Sequence, residues 1–99
     1  MKQNITFFEK EAELQELTGL NHVELWDHGF DLDDWNWGFV TDENYTYEVV
    51  TEYGDTELQV DYSKTPSYIY SILSYMGNYC CGFECTKYKD KFYYMLYHS

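Results

Sequence analysis

From Tyr45 to Tyr62 the chain reads Y-T-Y-E-V-V-T-E-Y-G-D-T-E-L-Q-V-D-Y. Polar and apolar residues alternate here with period two, which predicts two strands joined at Gly54-Asp55. A two-residue Gly-X turn of the II′ kind then sets the register. It places Thr51 opposite Leu58, Val49 opposite Val60 and Tyr47 opposite Tyr62 on one face. On the other face it places Glu52 opposite Glu57, Val50 opposite Gln59, and Glu48 opposite Asp61. Carboxylates facing carboxylates destabilise a sheet, where an opposite-charge pair would contribute roughly 0.2–1 kcal/mol.

Elsewhere the period lengthens. Thr6-Phe7-Phe8-Glu9 has the spacing of a capping box and Gly19 suits a helix end, so a helix is expected over 7–18. Its apolar face would carry Phe7, Leu14 and Leu17 with the stem of Lys10. Glu9, Glu13 and Glu16 would form an acidic row with no lysine to pair them. The alternation in His22 to His28 predicts a strand with Val23 and Leu25 inward. Asp31, Asp33 and Asp34 lie in a loop, followed by a short strand from Trp35 to Val40 in which Trp35 and Trp37 point the same way. Thr65 is expected to cap a second helix with Pro66 at its first position. The core stripe of that helix is Ile69, Ile72, Leu73 and Met76, and its stop is Gly77-Asn78. A final hairpin joins 79–86 to 91–97 around Lys87 to Asp90. The order α-β-β-β-β-α-β-β predicts a single α+β domain over residues 1–99 with a mainly antiparallel sheet.

Composition narrows the function. The 99 residues are 44% hydrophobic and 21% aromatic, too apolar for a disordered acidic tail despite a net charge of −12. Residues 1–63 hold 16 acids and two lysines, whereas residues 64–99 hold two acids and four lysines, and arginine is absent. A nucleic-acid binder or a protein that docks on anionic lipid needs a basic stripe that this chain does not have. Met1 to Ile5 offers no apolar signal segment and no apolar run approaches a membrane span, so a cytoplasmic location is expected. Cys80, Cys81 and Cys85 read as free thiols of a reducing compartment.

No motif carries catalytic chemistry, and neither a cofactor nor a metal is expected. Asp31-x-Asp33-Asp34-x-Asn36 fails the EF-hand spacing, with Trp35 at position five and Asn36 where glycine is needed. Cys80, Cys81, Cys85 and His98 include no C-x-x-C pair, and vicinal cysteines in a strand face opposite ways. His22-Val23-Glu24 has the H-x-E of nucleobase deaminases without the P-C-x-x-C partner. A catalytic pair of carboxylates needs unequal surroundings, which regular solvated rows do not supply. Most of the twelve tyrosines are expected in the core. Trp35 and Trp37 beside Asp31, Asp33 and Asp34 have the composition of an interface patch, with a core position for the pair as the equal alternative.

Unrelieved acidic rows have a physical use. Same-face residues on a strand are about 6.6–6.8 Å apart, and two phosphate steps of duplex DNA cover a similar distance. Rows such as Glu48/Glu52 and Glu57/Asp61 would therefore fill a groove built for a nucleic-acid backbone. In length, charge, α+β pattern and the rows Glu9/Glu13/Glu16 and Glu48/Glu52/Glu57/Asp61, the chain resembles the small acidic anti-defence proteins of phages and mobile elements. These are the anti-CRISPR and anti-restriction DNA mimics. The resemblance implies a stoichiometric inhibitor whose partner is a basic protein, a defence nuclease or CRISPR effector. The tyrosine-rich C-terminal third departs from a pure mimic and is read as a structural half, a dimer surface or a second contact. An immunity protein against a nuclease toxin is the main alternative. A carboxylate enzyme is the third, and it requires a carboxyl titrating far from about pH 4.

Overall fold

The computed structural model describes residues 5–79 and 82–97. The element order is β1 (Ile5–Phe8), α1 (Glu11–Thr18), α2 (His22–Asp27), β2 (Trp35–Thr41), β3 (Thr46–Val50), β4 (Thr56–Val60), α3 (Ser67–Tyr79), β5 (Gly82–Tyr88) and β6 (Lys91–Tyr97). The strands form an antiparallel four-stranded sheet in the order β1-β2-β6-β5 and a separate antiparallel hairpin, β3-β4. The α+β class holds, with three helices among the described residues where two were expected: residues 5–8 add a strand before α1, and residues 22–27 form a helix in place of a strand. No helix among the described residues is long and apolar enough to cross a membrane.

Residues 5–8 are a strand, not the first turn of a helix. Ile5, Thr6, Phe7 and Phe8 pair with Thr41, Val40, Phe39 and Gly38, and Phe8 is buried. β-branched and aromatic residues favour that pleated pairing, and burial of Phe8 outweighs a capping signal of about 1 kcal/mol. Helix α1 starts four residues later than expected. Its N-cap, Lys10, makes no side-chain cap, and Glu13 instead accepts a 3.2 Å hydrogen bond from the backbone N–H of Glu9. The end is as expected: Gly19 takes φ +76° and its N–H reaches Gln15 O at 2.7 Å.

Residues 22–27 form a helix, not a strand. Asn21 accepts from Glu24 N at 2.9 Å and Glu24 accepts from Asn21 N at 3.0 Å, a reciprocal capping box. Only Leu25 of this element is buried, while Val23 is 64% exposed. Two alternating apolar residues were too short a pattern to fix the period.

The central strand β6 sorts the core. Tyr93 and Met95 point to one face, where Leu14 of α1, Leu25 of α2, Phe8, Leu20, Phe30 and Val40 pack. Tyr94 and Leu96 point to the other, where Ile69 and Leu73 of α3 pack with Phe39 and Tyr45. Three layers result: α1-α2, the sheet, and α3 with the β3-β4 hairpin. Ile69 and Leu73 are buried and Ile72 partly so, as the helical stripe predicts. Helix α3 runs through Gly77-Asn78 to Tyr79, and Thr65 does not cap it: its hydroxyl donates to Asp61 O at 2.5 Å. The last hairpin turns at Lys89 (φ +49°) and Asp90 (φ +65°), a two-residue loop with both centres left-handed, so β5 extends to Tyr88.

Candidate functional site

The expected carboxylate rows on the middle hairpin do not form. Observed pairs are Thr46–Val60, Tyr47–Gln59, Glu48–Leu58, Val49–Glu57 and Val50–Thr56. Val50 thus meets Thr56 instead of Gln59, a shift of three residues, and an odd shift exchanges the faces. Glu48 and Glu57 lie on opposite faces, each across from an apolar residue. Glu52 is in the loop, and Asp61 lies beyond β4. The cause is the turn. Gly54 N–H donates to Thr51 O at 3.0 Å, Thr51 N–H donates to Asp55 O at 2.8 Å, and Gly54 takes φ +84°. This is a three-residue Glu52-Tyr53-Gly54 loop with its left-handed glycine third, not a II′ turn with glycine first. The Thr51 hydroxyl supports it by accepting from Tyr53 N and Asp55 N.

Without opposed acids, the stability gain expected from neutralising them disappears. The double substitution Glu52→Gln with Glu57→Gln is expected to move the unfolding free energy by less than about 0.5 kcal/mol, measured by urea denaturation. Asp61 has a local task. It accepts from Ser63 N and Ser63 Oγ at 3.1 and 2.7 Å, which holds its carboxyl below the ordinary range, with Lys64 at 4.0 Å adding to the effect. A general acid would need the opposite shift.

Trp35 and Trp37 do not share a face. A bulge between them sets Trp35 opposite Tyr97 and Trp37 opposite Leu96. Trp35 packs on Phe8, 5.7 Å between ring centroids, in the core under α1 and α2. Trp37 lies on the other face, 5.9 Å from the ring of Phe7. Asp31, Asp33 and Asp34 remain in a loop: Asp31 Oδ1 accepts from Asp33 N at 3.0 Å, Asp34 takes φ +58°, and Tyr97 donates to Asp31 O at 2.8 Å. Among the described residues no three His, Cys, Asp or Glu side chains gather as a metal site. Cys80, Cys81 and His98 lie outside the described residues, and Cys85 is a free thiol pushed up by burial.

The fold does gather acids in its α1-α2 layer. Residues 9–34 contain nine carboxylates and one lysine, Lys10. Glu9, Glu13, Glu16, Glu24, Asp27, Asp33 and Asp34 are exposed, and Glu11 and Asp31 are half-buried. Glu11 is relieved by His22 at 3.0 Å and by Gln15, which donates at 2.6 Å. Glu9 and Glu13 have no ion-pair partner among the described residues. Glu9 precedes the helix, so the expected three-member helical row is reduced to Glu13 and Glu16.

At the corner where β1 meets α1, two of the expected patches come together. Glu9, Glu13 and Trp37 line one open pocket of about 290 Å³ with Phe7 and Phe8. Phe7 is 50% exposed there. As a residue of a buried helical face it was misplaced by the sequence reading; its alternation with Phe8 across a strand was the available signal. Glu24 and Asp27 were also missed: the expected strand would have turned Asp27 inward with Val23 and Leu25, whereas the helix leaves both acids exposed. No family model, no curated protein and no solved structure matches the chain.

Proposed function

We propose that this protein is a stoichiometric inhibitor that binds the basic nucleic-acid-binding surface of a bacterial defence nuclease or CRISPR effector and blocks access of DNA or RNA. One observation carries the reading: the acids of residues 9–34 cover the outside of a single layer, with Lys10 as the only lysine among them. Concentrated like charge opposes folding, and interspersed signs would give solubility at less cost. A cationic partner turns that self-repulsion into binding energy. The contact surface is therefore the α1-α2 layer and the Asp31–Asp34 loop; the hairpin acids Glu48, Glu52 and Glu57 belong to the layer across the sheet and stand outside it. It acts in the cytoplasm of a bacterial host cell, without a cofactor.

Such a partner is approached under electrostatic steering, so binding weakens with salt. The test is capture from bacterial lysate by the wild type and by a Glu9→Gln/Glu13→Gln/Glu16→Gln/Asp33→Asn/Asp34→Asn variant. The captured enzyme is then assayed for nucleic-acid binding. The expected result is a nucleic-acid enzyme that cannot bind its substrate while inhibited, is released by salt, and associates with the variant at least about tenfold more slowly. Identical capture by both baits would overturn the reading.

A further inference from the structure

We infer that the pocket between β1 and α1 is a receptor for one arginine side chain presented by the basic partner protein. The inference rests on the inhibitor reading for the source of that arginine, and on the pocket's own geometry for its chemistry. Phe7 and Trp37 stand 5.9 Å apart with their planes at 39°, two tilted aromatic walls. Glu9 and Glu13 line the same space. Glu13 Oε1 is turned toward Glu9 N at 3.2 Å, and its second oxygen has no hydrogen-bond partner among the described residues.

A cation over aromatic faces is attracted by the ring quadrupole, and a carboxylate beside it completes the recognition. Guanidinium suits this combination better than ammonium, because it is planar, weakly hydrated, and can stack on a ring while donating two N–H groups to a carboxylate. Size agrees: about 290 Å³ falls just below the roughly 300–1,000 Å³ of small-molecule sites and accommodates a single side chain. The pocket is not filled from within, since Lys10 does not line it. Elsewhere the chain makes this contact with its own cations, Lys87 lying 5.8 Å from the Phe92 ring and Lys89 5.4 Å from that of Tyr88.

The test needs no partner protein. Isotope-labelled protein is titrated with an acetylated tetra-arginine peptide, and with its citrulline counterpart of equal shape and no charge, while the three tryptophan indole N–H signals are followed by NMR. Arginine is expected to shift Trp37 saturably and leave Trp26 and Trp35 in place, and citrulline to shift none. Glu9→Gln with Glu13→Gln, both exposed, should weaken binding at least fivefold. Phe7→Leu, at a half-exposed position, should weaken it about two- to fivefold. Shifts spread evenly over the acidic surface with Trp37 unmoved, or equal binding of citrulline, would overturn the assignment. A responsive Trp37 with no nucleic-acid enzyme captured from lysate would support the pocket and sink the inhibitor reading. The converse would leave an inhibitor that does not use this pocket.

Discussion

Replacing Gly38 with alanine is expected to cost about 3 kcal/mol of stability. Gly38 sits in β2 opposite Phe8 on one side and Met95 on the other. A methyl group there would overlap the carbonyl oxygen of Tyr94 and lie 2.7 and 2.8 Å from two atoms of the Phe8 ring. The ring can give way only by leaving its packing against Trp35 and Tyr93, and the carbonyl belongs to the central strand. Overpacking of this kind typically costs 1–3 kcal/mol, and the top of that range applies because backbone must move. For a domain of about this size each kcal/mol lowers the melting temperature by roughly 4–8 °C, so a fall of some 12–24 °C is expected in a thermal scan. A change within 3 °C would show that β1 is not seated as described. Because β1 carries Phe7, the same substitution should also abolish the Trp37 response to arginine.

The second large effect is expected at high pH. Tyr94 is fully buried in the sheet core, and burial pushes its phenol far above the ordinary 10.0. Its oxygen accepts from Tyr45 N at 2.7 Å, and its hydroxyl donates to Asn44 Oδ1 at 3.1 Å. Asn44 Oδ1 also accepts from Thr46 N and Thr46 Oγ1, which ties the start of β3 to β6. In the unfolded chain a tyrosine ionises near pH 10. The folded state keeps the Tyr94 proton above that pH, so the unfolded state binds fewer protons and stability falls as pH rises. Below pH 10 the contribution is fully present. Above it, Tyr94 alone removes about 1.4 kcal/mol per pH unit, and Tyr45, Tyr93 and Tyr97 shift in the same direction.

Tyr94→Phe separates the two roles of this residue. At pH 8 it is expected to destabilise by about 1–3 kcal/mol, because the buried Tyr45 N–H loses this acceptor. Above pH 10 its stability should decline less steeply than that of the wild type, by about 1.4 kcal/mol per pH unit. Urea unfolding at pH 8, 10 and 11 measures both. Parallel declines for the two proteins would mean that Tyr94 titrates in the fold much as it does in the unfolded chain.

These two residues also mark the boundary of what local pattern reveals. The sequence places Gly38 inside the expected strand from Trp35 to Val40 but not what it approaches; its role comes from Phe8 and Tyr94, which are thirty and fifty-six positions away along the chain. The acidic layer was half legible. Glu9, Glu13, Glu16, Asp31, Asp33 and Asp34 were identified from the charge pattern, and all but the half-buried Asp31 are exposed. The paired hairpin rows were not, because Gly54 satisfies the dihedral demand of either turn. A three-residue slip costs nothing that local sequence records.

The sequence by itself determined the α+β class, the long C-terminal hairpin, the buried stripe of α3 and the end of α1 at Gly19. Each rests on a signal within one or two turns of chain: a period, a left-handed glycine, an apolar face. It also determined that the acids crowd into the first two-thirds of the chain, the imbalance on which the proposed function rests. Tertiary structure decided the rest. Residues 5–8 became a strand because β2 offered them an edge, and the bulge in β2 sent Trp35 and Trp37 to opposite faces. The meeting of Phe7, Glu9, Glu13 and Trp37 in one pocket follows from those two events. Backbone pairing between distant segments fixes which face a side chain occupies, and a single residue of register, or a single bulge, reverses that face without altering the composition of the strand.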